Sequence, residues 1–377
     1  METIIWINAR FLARPVSGVE RVARELLTVV AERLDENGSW TTPDGRRLSF
    51  RLIAPAASRA ESPWPKLRLH RTGAGGGHTW EQTSLLAATR GEWLVSLCST
   101  GPMLKRRHVI FFHDAQTFAI PENFTWRFRL WYRLLFSVAG RTAAAILTNS
   151  DYSRDELVKR IGLDRARITP TWLGVEHVLR VPPDLGVFAR HRLPGTQYLL
   201  AVSSVNPNKN FSAVLRALES LGADAPPCVI AGQRYDRVFG QSRLDTQRVM
   251  HVGYLSDAEL FALYARATCL LFPSFYEGFG LPPVEAMALG CPAIVSNTSV
   301  LPEICGDAVL YCDPAKPETL ADAIRRLRSE PGLRGDLIAR GRERARLFSW
   351  SNGAESLLKT LCRVTIDESS AGRGRSV

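Results

Sequence analysis

Short apolar runs alternate with amphipathic helical stretches along most of this chain, and the alternation is broken once, near residues 180–196. That pattern constrains the fold strongly. Parallel neighbouring strands need a crossover long enough to hold a helix, so strand–helix alternation reads as a parallel sheet with helices on its faces. In the first array, strands are expected at Ile4–Ile7, Leu52–Ala54, Leu94–Cys98, Val109–Phe112, Ala144–Thr148 and Ile168–Leu173. Ser17 and Glu20 form a capping box, after which Val19, Val22, Ala23, Leu26, Leu27 and Val30 share one helical face. Ser153 and Glu156 read as the cap of a helix that stops at Gly162. Residues 35–50 and 58–80, rich in Gly, Pro and charge, read as surface excursions.

Pro182, Pro183, Gly186, Pro194 and Gly195 mark a linker. A second array follows, with strands expected at Tyr198–Val202, Cys228–Ala231, Leu270–Phe272, Ala293–Val295 and Val309–Tyr311. Its helices begin near Asn210, after the capping box Ser256/Glu259, at Pro283 and at Pro317. The expectation is an α/β chain of two doubly wound, Rossmann-like domains: residues 1–183, a linker at 184–196, a second domain at 197–347, and a closing helix and tail at 348–377. Ligands of such sheets bind at the carboxyl ends of strands, and a cleft between two such domains is the expected place.

At 377 residues the chain can bury a core without a disulfide or metal staple, and 45% hydrophobic with 23% charged residues excludes a disordered or fibrous chain. No apolar run approaches the ~20 residues of a membrane span and the N-terminus lacks a signal-peptide layout, so a cytoplasmic location is expected. The net charge of +11 suggests an anionic partner: nucleic acid, a membrane face, or a phosphate-bearing substrate. No finger, helix-turn-helix or RNP-like pattern supports nucleic acid. The seven cysteines form no CxxC pair and read as small buried hydrophobes, not as a metal site.

The most informative segment runs from Phe272 to Gly290, FPSFYEGFGLPPVEAMALG. A strand ends near Pro273, a loop carries Glu277, Gly278 and Gly280, Pro283 suits the first turn of a helix, and Gly290 suits its C-terminal stop. Amides at such a helix start favour a phosphate or diphosphate. Glu285, placed in the first turn, can accept hydrogen bonds from ribose hydroxyls, and Glu277 can meet a sugar. Taken alone, Glu285 reads better as a dipole-favoured acid at a helix start than as a ligand group; the whole string reads as a site.

Glu277 and Glu285, with seven residues between them, resemble the paired-glutamate motif of family 4 retaining glycosyltransferases of the bacterial surface-polysaccharide type. Ser203-Ser-Val-Asn-Pro-Asn-Lys-Asn210 resembles that family's phosphate-contacting loop, His251–Leu260 and Leu263–Ala267 its base-binding segment, and Phe348-Ser-Trp350 the start of its closing helix. The resemblance implies the GT-B fold, with two Rossmann-like domains facing across a donor cleft. It implies transfer of a sugar from a nucleotide diphosphate sugar to a hydroxyl, with retention. It places Lys209 on the leaving diphosphate, and it gives donor-binding roles to Gly18, Ser204, Asn208, Tyr254, Gly278, Phe279, Gly280 and Leu281, beside Glu277 and Glu285. Ser204 departs from the Arg that many relatives carry five residues before the lysine; Arg234 is the cation considered as its replacement.

In the first half, Val109–Phe112 is expected to end in His113 and Asp114. His113 resembles the family's first-domain histidine that approaches the transferred sugar, and Asp114 reads as a cap. Trp80-Glu81-Gln82 resembles a segment of bacterial relatives and carries no assigned role. No Asp-x-Asp motif is present, and the resemblance implies no metal and no cofactor. GDP-mannose is the donor the family weighting favours, with UDP and dTDP sugars left open. Phe124–Phe136 mixes aromatics with Arg127, Arg129 and Arg133, and Lys105, Arg106 and Arg107 add charge nearby; the segment by itself reads first as a core helix with its arginines on the wet face, and together with the net charge it suggests an anionic membrane surface and a lipid-linked glycan acceptor, a soluble glycan being the alternative. A nucleotide-sugar epimerase or glycosyl phosphorylase shares the implied fold, and a basic nucleic-acid-binding protein is the remaining, remote reading.

Overall fold

A computed structural model of the chain describes residues 2–202, 206–232 and 248–373, with side chains up to residue 366. The chain divides into two compact units, Met1–Gly174 with Trp350–Val377, and Val175–Ser349.

The first unit is built on eight strands: β1 (Glu2–Asn8), β2 (Ser39–Thr41), β3 (Arg47–Pro55), β4 (Leu69–Thr72), β5 (Trp93–Ser96), β6 (His108–Phe111), β7 (Ala145–Thr148) and β8 (Ile168–Pro170). Their order is β2-β3-β1-β5-β6-β7-β8, with β4 also pairing β3. All pairs are parallel except β2 with β3. The central strands β5, β6 and β7 are buried along their whole length, as a sheet covered on both faces demands. The helix Gly18–Glu32 opens with the expected Ser17/Glu20 capping box and buries Val22, Ala23, Leu26, Leu27 and Val30. The helix Trp350–Arg373 belongs to this unit. A Cβ added at its Gly353 would lie 2.9 Å from Leu26 Cδ2 and 3.2 Å from the Trp172 carbonyl, so glycine there permits close packing.

Two expectations need correction here. The stretches 35–50 and 58–80 are not wholly excursions: they contain β2, the start of β3, and β4. These strands sit on the outer edge of β3 and need no long apolar run. The helix Asp151–Ile161 is capped by Ser150, whose side chain accepts from the Ser153 amide, while Glu156 pairs with Arg160; the stop at Gly162 is in place, in the left-handed conformation at φ 69°.

Two buried histidines make this unit pH-sensitive. Burial pushes His108 down to about 3 and His113 down to about 4, whereas an unfolded histidine titrates near about 6.5. Between those values the unfolded chain binds more protons than the folded one. Stability is therefore lost as pH falls from 6.5 through 4, each histidine steepening the fall by up to about 1.4 kcal/mol per pH unit. Urea unfolding at a series of pH values in that window, compared with His113→Gln, should show a shallower dependence for the variant; an unchanged slope would contradict neutral burial of His113.

The second unit holds β9 (Leu199–Val202), β10 (Cys228–Ala231), β11 (Val249–Gly253), β12 (Cys269–Phe272), β13 (Ala293–Ser296) and β14 (Leu310–Cys312). The order is β11-β10-β9-β12-β13-β14, with every pair parallel. From β9 the chain winds outward through β10 to β11; from β12 it winds the other way through β13 to β14. The junction between β9 and β12 is thus the topological switch point of the sheet. Leu199, Ala201, Cys228, Ile230, Cys269, Leu271 and Ile294 fill one face against helices Phe211–Leu221 and Pro317–Ser329. Ser256 and Glu259 form the expected capping box of helix Asp257–Arg266. The stretch read as a linker, 184–196, lies within this unit: the Asp184 amide donates to the Ala258 carbonyl at 2.8 Å, and Arg190 pairs with both Asp184 and Glu259. It contains a short helical turn, Gly186–Arg190. All seven cysteines are free, and five are buried. Among the described residues no group of His, Cys, Asp and Glu is arranged to hold a metal ion.

Candidate active site

At the switch point, the loops leaving β9 and β12 meet. After β9, Asn206 accepts from the Asn208 amide at 3.0 Å and folds Pro207–Lys209 into a tight turn. Asn210 follows at φ 55°, a left-handed conformation that asparagine tolerates, and starts helix Phe211–Leu221. Its side-chain amide donates to the carbonyls of Pro273 at 3.1 Å and Pro314 at 2.8 Å. The Phe275 amide donates to the Asn208 carbonyl at 2.9 Å, and Asn208 Nδ2 donates to the Tyr276 carbonyl. This lacing fixes the two loops against each other.

It also brings Lys209 and Glu277 together. Lys209 Nζ lies 2.7 Å from Glu277 Oε1 and 5.1 Å from the centre of the Phe272 ring. The two side chains keep only 20% and 12% of their exposure. The Glu277 amide donates to Ser299 Oγ at 3.2 Å, which draws in the loop after β13. A half-buried ammonium held by one carboxylate oxygen is a fixed positive group, ready to meet an anion without reorganising. Two buried atoms in the same loops, Asn208 Oδ1 and Ser274 Oγ, have no hydrogen-bond partner among the described residues. Buried polar groups are nearly always paired, so a bound ligand or water is their expected partner.

The glycine loop enters helix Leu281–Ala288 through Gly280 at φ 90°. A Cβ there would lie 2.7 Å from Leu301 Cδ2, so both backbone and space require glycine. The helix starts at Leu281, two residues before the expected Pro283. Pro282 and Pro283 therefore occupy its first turn and supply no N–H, so Leu281 alone among the first three helical residues carries one. Gly290, at φ 74°, stops the helix as expected.

Glu285 is consequently in the second helical turn, not the first, and is only 6% exposed. Its Oε1 lies 3.0 Å from His177 Nε2, and the Tyr264 hydroxyl donates to Oε2 at 3.4 Å. His177, 3% exposed, was not found from the sequence: it lies 108 residues away, on a short helix, His177–Arg180. Phe279 is 3% exposed and packs edge-on against Phe348 at 5.5 Å, and Leu281 is also buried, so both offer only backbone. Tyr254 follows β11, two strands from β9, with 70% of its surface exposed. Ser204 and Arg234 lie outside the described residues.

In the first unit, His113 lies two residues beyond β6 and is 5% exposed. Its Nε2 donates to the Leu97 carbonyl at 2.8 Å, its ring stacks on Phe111 at 4.7 Å, and its own carbonyl accepts from Asn149 Nδ2 at 2.8 Å. With the Nε2 proton committed to a carbonyl and the ring neutral, His113 ties the end of β5 to the loop after β6. Asp114 accepts from the Gln116 amide at 2.9 Å, the capping role read for it. Gly18 is the exposed first residue of its helix. Lys105 is buried and donates to the Thr89 carbonyl, so it does not add to a surface charge cluster.

Residues 188–344 match the family model described as glycosyl transferases group 1. The chain is 34% identical over 263 residues to the O-antigen chain mannosyltransferase B of Escherichia coli, covering 67% of this chain and 69% of that one. It is 33% identical over 235 residues to a GDP-mannose-dependent alpha-(1-6)-phosphatidylinositol dimannoside mannosyltransferase of Mycobacterium tuberculosis, covering 60% of each, so the chain spans less than two thirds of that relative. Among solved structures, sucrose-phosphate synthase from Thermosynechococcus elongatus superposes with a TM-score of 0.74 at 18% identity, covering 97% of this chain and all of that one. At that identity the likeness shows the fold alone, which is GT-B. The chain belongs to the group 1 glycosyl transferases and is a hexosyltransferase.

Proposed function

We propose that the chain transfers a mannosyl residue from GDP-mannose to a hydroxyl of a lipid-linked glycan in O-antigen or related surface-polysaccharide assembly, with retention of configuration. The observation that carries this reading is the Lys209–Glu277 pair at the switch point of the second sheet, 2.7 Å apart beside a glycine loop. The sugar follows the names of the two mannosyltransferase relatives, and the nucleotide follows that of the Mycobacterium tuberculosis one.

In this reading the diphosphate lies against Lys209 and the amides from Gly278 to Leu281, and Glu285 receives the ribose hydroxyls. The bond from the sugar's anomeric carbon to the phosphate oxygen breaks as the acceptor oxygen bonds to that carbon from the same face. The acceptor proton passes to the departing phosphate oxygen. Lys209 stabilises the negative charge that grows on that oxygen, and Glu277 keeps the ammonium in place. A fixed cation and oriented amides supply the charge for which other enzymes recruit a metal, so no metal is required. Product analysis with GDP-mannose, UDP-glucose and a dTDP-sugar, with and without glycan acceptor and in the presence of EDTA, tests the reading. Acceptor-dependent, EDTA-resistant formation of an α-mannoside from GDP-mannose is expected. Interconversion of donors without acceptor, or dependence on inorganic phosphate, would contradict it.

The acceptor's lipid carries a further expectation. Helix Trp126–Thr142 exposes Trp126 at 66%, Leu130 at 63% and Leu134 at 50%, one residue per turn, with Arg127 exposed beside them. Exposed apolar groups in line with a cation fit a shallow seat in an anionic membrane face. No helix among the described residues is long and apolar enough to cross a membrane. Flotation with vesicles containing anionic lipid at low salt should retain the protein. Trp126→Ser with Leu130→Ser should release most of it, and full retention of the double variant would contradict this seat.

A further inference from the structure

The first sheet has its own switch point, between β1 and β5, because the chain winds from β1 toward β3 and from β5 toward β6. The carboxyl ends of those two strands carry a buried polar cluster that no step above uses. Its centre is Glu81, fully buried. Glu81 Oε1 accepts from Asn8 Nδ2 at 2.9 Å and from Thr100 Oγ1 at 2.9 Å, and faces Arg10 Nε at 3.3 Å. Arg10 Nη2 in turn donates to Thr100 Oγ1 at 2.9 Å. The other carboxylate oxygen, Oε2, lies 3.1 Å from His78 Nδ1. A buried ion pair of this kind is seldom the most stabilising way to fill space, so its use in placing a neighbour is the natural question.

The neighbour is His78. A carboxylate only accepts, so Nδ1 carries a proton toward Glu81 and Nε2 is left as the ring's second polar atom. The His78 side chain keeps 32% of its exposure. Its ring lies 5.3 Å from Trp131 and 5.9 Å from Tyr132. The indole N–H of Trp131 is buried and has no hydrogen-bond partner among the described residues. The local backbone is unusual as well: Gly73, Gly75 and Gly77 all have positive φ, and Glu81–Leu85 is a π-helical stretch, a rare form that concentrates at functional sites.

Resting on the glycosyl-transfer reading, we infer that His78, positioned by Glu81 and flanked by Trp131 and Tyr132, binds a pyranose ring of the acceptor glycan. Aromatic faces pack on the sugar's C–H surface, while Nε2 and the indole N–H supply hydrogen-bonding groups for its hydroxyls, which both donate and accept. This combination of flat apolar rings with a few oriented polar groups is the chemistry that recognises carbohydrate. Glu81 is a positioning residue: it holds the His78 ring through Nδ1, and Arg10, Asn8 and Thr100 fix Glu81.

Saturation-transfer NMR with methyl α-mannopyranoside, methyl α-glucopyranoside and methyl α-galactopyranoside tests this, alongside GDP titration of the same samples. The wild-type chain should give saturable signal with at least one glycoside. His78→Ala should weaken it about 10-fold, the loss of one good hydrogen bond and its ring contact. His78→Gln should recover part of that loss by restoring a hydrogen-bonding group, a rescue that a purely structural role would not produce. Glu81→Gln, checked for folding by circular dichroism, should weaken glycoside binding less than His78→Ala. GDP affinity should be unchanged throughout. Absence of signal with all three glycosides, or equal glycoside affinity in wild type and His78→Ala, would overturn the inference while intact GDP binding leaves the donor reading standing. Loss of GDP binding by the wild type itself would instead strike the donor reading.

Discussion

Lys209→Ala is expected to lower kcat by about 10²- to 10³-fold, the range seen when one preorganised group facing a developing oxyanion is removed. The reason is the setting of the ammonium. It is 20% exposed, 2.7 Å from Glu277, and held over the Phe272 ring. In such a partly dry place a charge acts more strongly than in water. The negative charge on the leaving diphosphate is greatest in the transition state, so kcat should suffer more than ground-state GDP affinity. Lys209→Ala also leaves Glu277 half-buried without its cation, which repels the diphosphate and weakens GDP binding to a lesser degree. Lys209→Arg should recover part of kcat, because the charge is kept and only its position changes. Wild-type kcat/KM in Lys209→Ala would remove the lysine from the reaction.

Glu285→Ala should weaken GDP binding by about 10- to 100-fold, the value of one or two hydrogen bonds to a charged acceptor. The test needs a companion, since the carboxylate also faces His177 at 3.0 Å in a buried place. Removing it leaves His177 without that acceptor, at a cost of about 1–3 kcal/mol in stability. His177→Gln separates the two effects. It disturbs the same buried pair, so it should lower the urea midpoint as well, yet it leaves the carboxylate in place and should weaken GDP binding by only a few-fold. Calorimetric titration of both variants reads the difference. Equal GDP affinity in Glu285→Ala and wild type would make Glu285 a packing residue.

The parts of this molecule that were legible in advance share a physical origin. The buried strands β5 to β7 and β9, β10, β12 and β13 are short apolar runs because parallel sheets covered on both faces tolerate little else. Capping boxes at Ser17/Glu20 and Ser256/Glu259 are local, so sequence spacing contains them. Edge strands β2, β4 and β11 were not seen, since an edge strand can be polar and brief.

The candidate site divides along the same line. The glycine loop and the two glutamates announce themselves as one string after β12. What joins them to the rest is tertiary. Lys209 and Glu277 are 68 residues apart and His177 and Glu285 are 108 apart, so no periodicity links either pair. Pro283 marks the helix start two residues late: proline suits the first turn of a helix, but the chain is already helical from Leu281 after the Gly280 cap, which places Glu285 in the second turn. The Glu81 cluster in the first unit was visible only as an unassigned string, because its partners come from Asn8, Arg10, His78 and Thr100.

The central claim is that the loops after β9 and β12 bind a nucleoside diphosphate. Amide hydrogen exchange of the full chain, with and without saturating GDP, addresses it most directly. Slowed exchange concentrated at residues 206–211 and 274–285 is predicted, where the Lys209 turn and the glycine loop lie. GDP bound at saturation with exchange in both loops unchanged would contradict it.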